Sequence, residues 1–422
     1  MVKSGFNFFR AASGEKHFRT SSENENMSIL VLNVGSSSLK YGLYDSASLL
    51  LLQEGCAECT GGESVAESCN KLLSTLEEEG VLANLVAVGH RIVHGGNLCD
   101  PTYLGSTSVL QHIESFNDLA PEHNPAALLV AKMAQAAFPG VKHVACFDTA
   151  FHTTIPRIAS TLALPKKYDL KVSGFHGLSV KFVSDLLAAE GLGQHKVVVA
   201  HLGHGSSLTA LDHGLSVDTT MSTSPLSGMP QSTRSGDLDP SIPLYLITQR
   251  GQSPTSLRKE LGSEAGLVAL HPLGGDQRQL EKAALGGDEK AEFALSYFCY
   301  HLAKHLASLV VAINGLQVLV FTAGIGENSA EVRDRVCRHL GWMGVELDVE
   351  ANLCNASTIS TSASKVLVRV IATDEQIVIA RLCKALLSSS STKAGCGRQD
   401  CPCGQECTCT DCQCGISLAE PL

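Results

Sequence analysis

Two arginines of this chain stand in glycine-lined settings that do not read as helix. Arg91 lies in His90-Arg91-Ile92-Val93-His94-Gly95-Gly96, directly after an apolar run, and Arg234 lies in the Gly/Ser/Pro-rich stretch from Pro225 to Pro240. A planar guanidinium fork suits carboxylate and phosphoryl oxygens, so both point to an anionic ligand, with surface salt bridges as the alternative. Asp148 follows the apolar run that ends at Phe147, and Glu375 follows the one that ends at Ile371. Their oxygens suit a hard divalent cation. His176 stands between glycines in Gly174-Phe175-His176-Gly177, where missing side chains would admit a ligand closely. Each signal is soft alone. What joins them is a shared place at strand ends, where open α/β sheets hold ligands.

Two segments echo one another. Ile29–Lys40 reads ILVLNVGSSSLK and Val198–Thr209 reads VVAHLGHGSSLT, each a strand, a polar residue, glycine, paired serines and a second strand. Exposed N–H groups and serine hydroxyls can surround phosphate oxygens. Neither loop has the Walker Gly-Lys-Ser/Thr or a dinucleotide fingerprint leading into a helix, which leaves a strand–loop–strand phosphate clamp. The echo points weakly to an internal duplication, with chance likeness of short loops as the alternative. A third glycine segment, Phe321–Ser329 (FTAGIGENS), is expected to turn into a helix over 330–340 whose N-terminus approaches a nucleotide. A tight strand-to-helix turn with no ligand is the alternative.

The elements that must position these residues alternate from Met27 onward between short β-branched runs and helical stretches, an α/β pattern. Strands are expected at Ile29–Val34, Val144–Phe147, Val197–His201, Val318–Phe321 and Val366–Ile371. A length of 422 residues calls for two domains. The net charge of -10 argues against nucleic acid or an anionic membrane as the main partner. The most apolar stretch, 306–321, is interrupted by Asn314, Gly315 and Gln317 and reads as helix, turn and strand, too short to span a bilayer.

Both ends differ in character. Residues 1–26 are basic and Phe-containing, read as a disordered extension or an organellar targeting segment. After Leu387 the chain becomes SSSSTKAG, a linker composition. Of 16 cysteines, seven crowd into a tail as Cys396, Cys401, Cys403, Cys407, Cys409, Cys412 and Cys414. The repeated Cys-x-Cys spacing favours a soft metal such as Zn²⁺ or Cu⁺, with disulfides or an unstructured reactive tail as alternatives. The scattered remainder suits a cytoplasmic protein.

Together the segments NVGSSSLKY, HRIVHGG, APEHNPAAL, FDTAFHTTIP, GFHGLSV, HLGHGSS, DTTMSTSPLSGMPQSTRSGDLDP, FTAGIGENS and IATDEQIVIA closely resemble the acetate kinase family, from about Met27 to Leu387. That family belongs to the superfamily of sugar kinases, actin and heat-shock chaperones. The resemblance implies an α/β fold of two related domains of the actin-like ATPase/sugar kinase type, with a nucleotide cleft between them. The expected division is 27–150 joined by 373–387, then 151–372, flanked by 1–26 and the tail 388–422.

The resemblance also implies roles. Arg91 and Arg234 match the arginines that bind the acid and the transferring phosphoryl group. Asp148 matches the essential aspartate, His176 the histidine at the transferring group, and Asn33, Asp148 and Glu375 the Mg²⁺ positions (or Mn²⁺). Val93, Phe175, Pro225 and His123 match acid-pocket positions. Asn33, Ser36, Ser38, Lys40, His201, Gly203, Gly205 and Ser207 match phosphate-loop positions, and Gly324, Gly326, Glu327 and Asn328 the adenosine segment. Asp276 and Arg278 match the adenine-side Asp-x-Arg.

The implied reaction is reversible transfer of the ATP γ-phosphoryl group to acetate, giving acetyl phosphate and ADP, in a homodimeric enzyme. Acetate is already ionised, so no strong base is needed and direct transfer without a phosphoenzyme is expected. Positive charge from Arg91, Arg234 and His176 is expected to offset the repulsion of two anions. Propionate or butyrate kinase, or a degenerate kinase domain serving a metal- or redox-responsive tail, are the alternatives. The chain departs from the family at His204, Val180, Ser232 and Asp374, and above all at Glu122, where a leucine normally helps form the methyl pocket. A buried unpaired carboxylate there would be costly, so Glu122 must point elsewhere or meet a cation.

Overall fold

The computed structural model describes residues 6–7, 27–35, 38–58, 64–80 and 84–390. Ser36, the seven tail cysteines and most of the 1–26 segment lie outside the described residues.

The first sheet contains β1 (Phe6–Asn7), β2 (Ser28–Val34), β3 (Ser38–Asp45), β4 (Leu51–Glu58), β5 (Leu85–Ile92), β6 (Thr102–Tyr103) and β7 (Lys142–Phe147). Its spatial order is β1-β4-β3-β2-β5-β7-β6. The second contains β8 (Val197–Leu202), β9 (Ser206–Asp212), β10 (Leu215–Thr219), β11 (Val318–Thr322) and β12 (Leu367–Val370), ordered β10-β9-β8-β11-β12. In both, one strand pairs antiparallel with its successor and parallel with a later strand: β2 with β3 and β5, β8 with β9 and β11. A further parallel strand follows, β7 in one sheet and β12 in the other. The duplication suggested by the Gly-Ser echo is therefore a duplication of topology, and the echoing loops join β2 to β3 and β8 to β9.

The strands form where β-branched runs can be buried on both faces, as a parallel sheet requires. Every residue of β2 and β11 is buried. The helix Glu289–Ala312, capped by Asp288, lays Leu295, Phe298, Leu302 and Leu306 against the second sheet. The final helix, Glu375–Ser390, follows β12 yet packs Val378, Ile379 and Cys383 on the first sheet, against Ile29, Val31 and Val144. Close approach is possible because Gly89 has no side chain: a Cβ there would lie 2.5 Å from Ile379 Cγ2. The chain thus crosses back, and this crossing carries Glu375 to the first sheet.

Every expected strand is present within two residues of its expected bounds. The last helix runs to Ser390, three residues past the expected core end near Leu387. One expectation needs correction. The FTAGIGENS segment is itself helical over Ala323–Asn328, so the helix beginning directly after β11 is this one, and Ala330–His339 is a second. Phe6–Asn7, within the segment read as an extension, pairs antiparallel with β4. Among the described residues no helix is long and apolar enough to cross a membrane.

Candidate active site

Arg91 stands one residue before the end of β5, and Asp148 follows directly on the adjacent parallel strand β7. The pairing register sets Arg91 beside Cys146, so the guanidinium reaches forward to the carboxylate. Arg91 Nη2 donates to Asp148 Oδ2 at 2.7 Å and Nε donates to the same oxygen at 3.1 Å. Arg91 Nη1 lies 3.2 Å from Glu375 Oε2 and donates to Asn33 Oδ1, also at 3.2 Å. Asn33 Nδ2 donates to Glu375 Oε2 at 3.0 Å, closing the ring. Three strand ends and the start of the final helix thus converge on one guanidinium.

Charge in this cluster is not balanced, since two carboxylates face one arginine. Burial opposes the Arg91 charge, but Asp148 and Glu375 hold its pKa above the ordinary value. Burial raises Asp148, with Arg91 opposing and Glu375 adding to the rise. Burial also acts against the Glu375 charge, yet Arg91, His201 and the Asn33 amide bring its pKa below the usual range. A net negative, oxygen-rich, buried cluster is a fitting donor set for a hard divalent cation. Asp148, Glu375 and Asn33 would hold Mg²⁺ here, and bound Mg²⁺ would supply charge neutralisation at phosphate oxygens.

Arg234 comes from the second half, in an irregular segment, and is buried. Its Nη1 donates to Gln231 Oε1 at 3.3 Å, and its Nη2 to Glu122 Oε2 at 3.4 Å. Gln231 was not identified from the sequence. Fully buried, it also accepts from Ser206 N–H at 3.1 Å and donates to Pro225 O at 3.0 Å, tying the second Gly-Ser loop to Arg234. Only its place three residues before Arg234 in the quoted motif could have drawn attention to it. Glu122 has therefore met a cation, one of the two outcomes expected for it.

His176 adopts a left-handed backbone (φ 56°) at the start of the helix Gly177–Ala189. Its Nδ1 shares a hydrogen bond with Ser207 Oγ at 2.9 Å, and its ring stacks on His201 with centroids 4.1 Å apart. Gly205 lies against it: an added Cβ would be 3.2 Å from both His176 Nε2 and Arg234 Nη1. Burial first, then His201, Arg91, Arg234 and His123, hold the His176 pKa well below its usual value. Each of these works against the positive charge expected of His176, while its ring nitrogens remain able to hydrogen-bond. The flanking glycines also have a different reason from ligand access. A Cβ at Gly177 would lie 1.9 Å from the Asp148 carbonyl oxygen, and one at Gly174 (φ 71°) 2.3 Å from the His152 ring.

His123, at the start of the helix Asn124–Ala137, has its pKa pushed down to about 3 by burial and then by Arg234 and Arg91. It lies in the field of both arginines. Val93 and Phe175 pack with Ala120 and Met221 in one small apolar cluster. Asn124, another residue sequence reasoning passed over, clamps the Val93–Gly95 turn: its Oδ1 accepts from His94 N–H at 3.0 Å and its Nδ2 donates to His94 O at 2.9 Å. Pro225 lines a cavity of about 340 Å³ with Glu122, His123 and Arg234.

In the first Gly-Ser loop Gly35 N–H bonds Ser38 O at 2.7 Å, and in the second Gly203 N–H bonds Gly205 O at 3.0 Å. Lys40 pairs in register with Asn33 and its charge is felt by Glu375. His201 shares a 2.8 Å hydrogen bond with Ser179, which donates to Thr373 at 2.9 Å. Glu327 Oε1 accepts from Ala323 N–H at 2.8 Å and Thr373 N–H at 3.1 Å, so its carboxylate braces the segment. Gly324 faces open space, and Asn328 Nδ2 donates to its carbonyl at 2.9 Å. Gly326 packs closely on β8 and β11. Asp276 caps the helix Gln277–Leu285, and Arg278 folds back on it at 3.0 Å with its side chain 89% exposed. That helix reaches the Phe321–Ser329 segment through Glu281, which accepts from Ser329 Oγ.

The departures at Asp374 and Val180 have local explanations. Asp374 Oδ1 accepts from Ile377 N–H at 2.9 Å, the N-cap role that asparagine fills equally well. Val180 is fully buried among Val183, Leu187 and Val199.

Arg333, missed from sequence, is fully buried and spends every donor: on Gly326 O, Glu327 O, Asn352 Oδ1 and O, and Asn355 Oδ1. It holds the end of the Ala323–Asn328 helix. Arg333→Met should lower unfolding free energy by about 3 kcal/mol, because buried carbonyls lose their partners. Chemical denaturation would measure this, and a change below about 1 kcal/mol would refute it.

Two sheets of like topology, with strand-end carboxylates, two arginines and paired Gly-Ser loops, form a site suited to phosphoryl transfer between anions. A profile of the acetokinase family matches residues 53–381. The chain is 39% identical to the acetate kinase of Thermotoga maritima over 399 residues, 86% of this chain and 99% of that one. A propionate kinase from Francisella tularensis superposes with a TM-score of 0.79 at 35% identity, covering 84% of this chain and 98% of that one. The acetate kinase of Porphyromonas gingivalis gives 0.76 at 30% identity, covering 86% and 100%. The chain belongs to the acetate kinase family, ATP-using, Mg²⁺-dependent phosphotransferases with a carboxyl acceptor.

Proposed function

We propose that this chain transfers the γ-phosphoryl group of ATP reversibly to acetate, forming acetyl phosphate and ADP. The observation that carries this reading is Arg91, fixed by Asp148, Glu375 and Asn33 while sharing its field with Arg234 through His123 and His176. Two anions must meet here, and their repulsion is the main barrier to approach. Arg234 and Arg91 would hold the acid and the transferred group from opposite halves. His176 would donate a hydrogen bond to an equatorial oxygen. Val93, Phe175 and Pro225 would exclude water beside the acid's methyl group. The Gly-Ser loops, with Ser38, Lys40, Gly203, Gly205 and Ser207, would take the phosphates, and Gly324, Gly326 and Asn328 the adenosine. Acetate attacks as the anion, so the terminal P–O bond of ATP breaks as the new one forms, with no phosphoenzyme.

We further read the halves as 27–150 joined by 373–387 and 151–372, the enzyme as a cytoplasmic homodimer, and the tail cysteines as ligands for Zn²⁺ or Cu⁺. Mn²⁺ would substitute for Mg²⁺.

The test is a hydroxylamine-trapping assay with ATP and acetate, propionate or butyrate. Acetyl hydroxamate should form with Mg²⁺ and fall at least about a hundredfold in EDTA, returning with Mg²⁺. No hydroxamate from any acid would overturn the proposal, and a preference for propionate would move the substrate.

A further inference from the structure

Glu122 places a carboxylate on the arginine that the proposed function needs for the acid. Among the described residues it supplies the only ion pair of Arg234, whose other side-chain partners are the neutral Gln231 and the Pro225 carbonyl. The Arg234 side chain is 6% exposed, whereas the Glu122 side chain is 43% exposed and borders the 340 Å³ cavity. One partner is therefore fixed and the other has room to turn. Local structure keeps Glu122 aimed here. It lies two residues after Ala120, which is anchored in the Val93–Phe175–Met221 cluster, and directly before His123. Across the cavity Gly262 leaves space for the carboxylate: a Cβ there would sit 3.1 Å from Glu122 Oε1.

We propose that Glu122 is a built-in competitor for the acid substrate, occupying Arg234 until an incoming carboxylate displaces it. The inference rests on the reading of Arg234 as an acid-binding residue. Two carboxylates converging on one guanidinium repel each other, so the second binds at the expense of the first. The cavity gives the released Glu122 side chain a place to go and gives the acid its route in. Glu122 thus sets how much acid is needed rather than how fast the bound acid reacts.

Glu122→Gln keeps the shape and removes the charge; Glu122→Leu removes the competing group altogether. In the full-length enzyme with ATP and Mg²⁺, the KM for acetate should fall at least about fivefold in E122Q and tenfold in E122L, with the KM for ATP within twofold. An acetate KM that is unchanged or raised in E122Q overturns the proposal, whether or not E122L folds. Acetate-dependent thermal stabilisation supplies a readout without turnover: its half-maximal concentration should fall by the same factors. If the native protein forms no hydroxamate from any acid, the kinase reading fails, while the thermal comparison still decides whether Glu122 competes. Equal midpoints, or no acetate response in either protein, would end the proposal.

Discussion

Asp148→Asn is expected to lower turnover at least about a thousandfold while leaving the fold intact. Asparagine keeps the size of the side chain, so the end of β7 has no steric reason to move. What changes is electrostatic. Asp148 supplies the shortest contact of the Arg91 guanidinium, at 2.7 Å, and one of the two charges that neutralise it. Without it, Arg91 is left with Glu375 and the Asn33 amide, and the cluster passes from net negative to neutral. Affinity for a divalent cation and the aim of the guanidinium are both lost. Circular dichroism should be unchanged while hydroxamate formation collapses. Turnover within tenfold of the native value would show that Asp148 only supports structure.

The second large effect needs no change of charge. Gly177→Ala should lower turnover at least about a hundredfold and destabilise the protein by about 2–4 kcal/mol. The new methyl group would lie 1.9 Å from the Asp148 carbonyl oxygen and 2.9 Å from Phe151 Cβ. No rotamer relieves a Cβ clash with backbone, so the helix Gly177–Ala189 must draw back. That helix starts directly after His176 and carries Ser179, the partner of His201. One methyl group would thus disturb Asp148, His176 and His201 together. Native-like kinetics in G177A would mean that the close approach has no functional weight.

Much of this site was legible because its parts fall on strand ends. Arg91, Asp148 and Glu375 each follow an apolar run, and a parallel sheet brings such ends together whatever the details of packing. The paired Gly-Ser loops were legible for a similar reason, since each joins two strands with a short glycine turn. Gln231, Asn124 and Arg333 escaped because their roles are made by contacts across the fold. A buried amide that holds a loop looks, in sequence, like any other amide. The downward pull on the His176 pKa escaped for a further reason: it comes from burial and from four neighbouring basic groups in different segments.

By itself, then, the sequence determined the class of chemistry and the family. Arginines, carboxylates and glycine turns keep their meaning wherever the chain places them. It also posed the question of Glu122 without answering it. Only the tertiary structure decided that Glu122 pairs with Arg234, that His176 is buried among other basic groups and that Gly177 packs on the Asp148 carbonyl. Each of these depends on which groups are brought within a few ångströms of each other and shielded from water, where pairing and desolvation outweigh local preference.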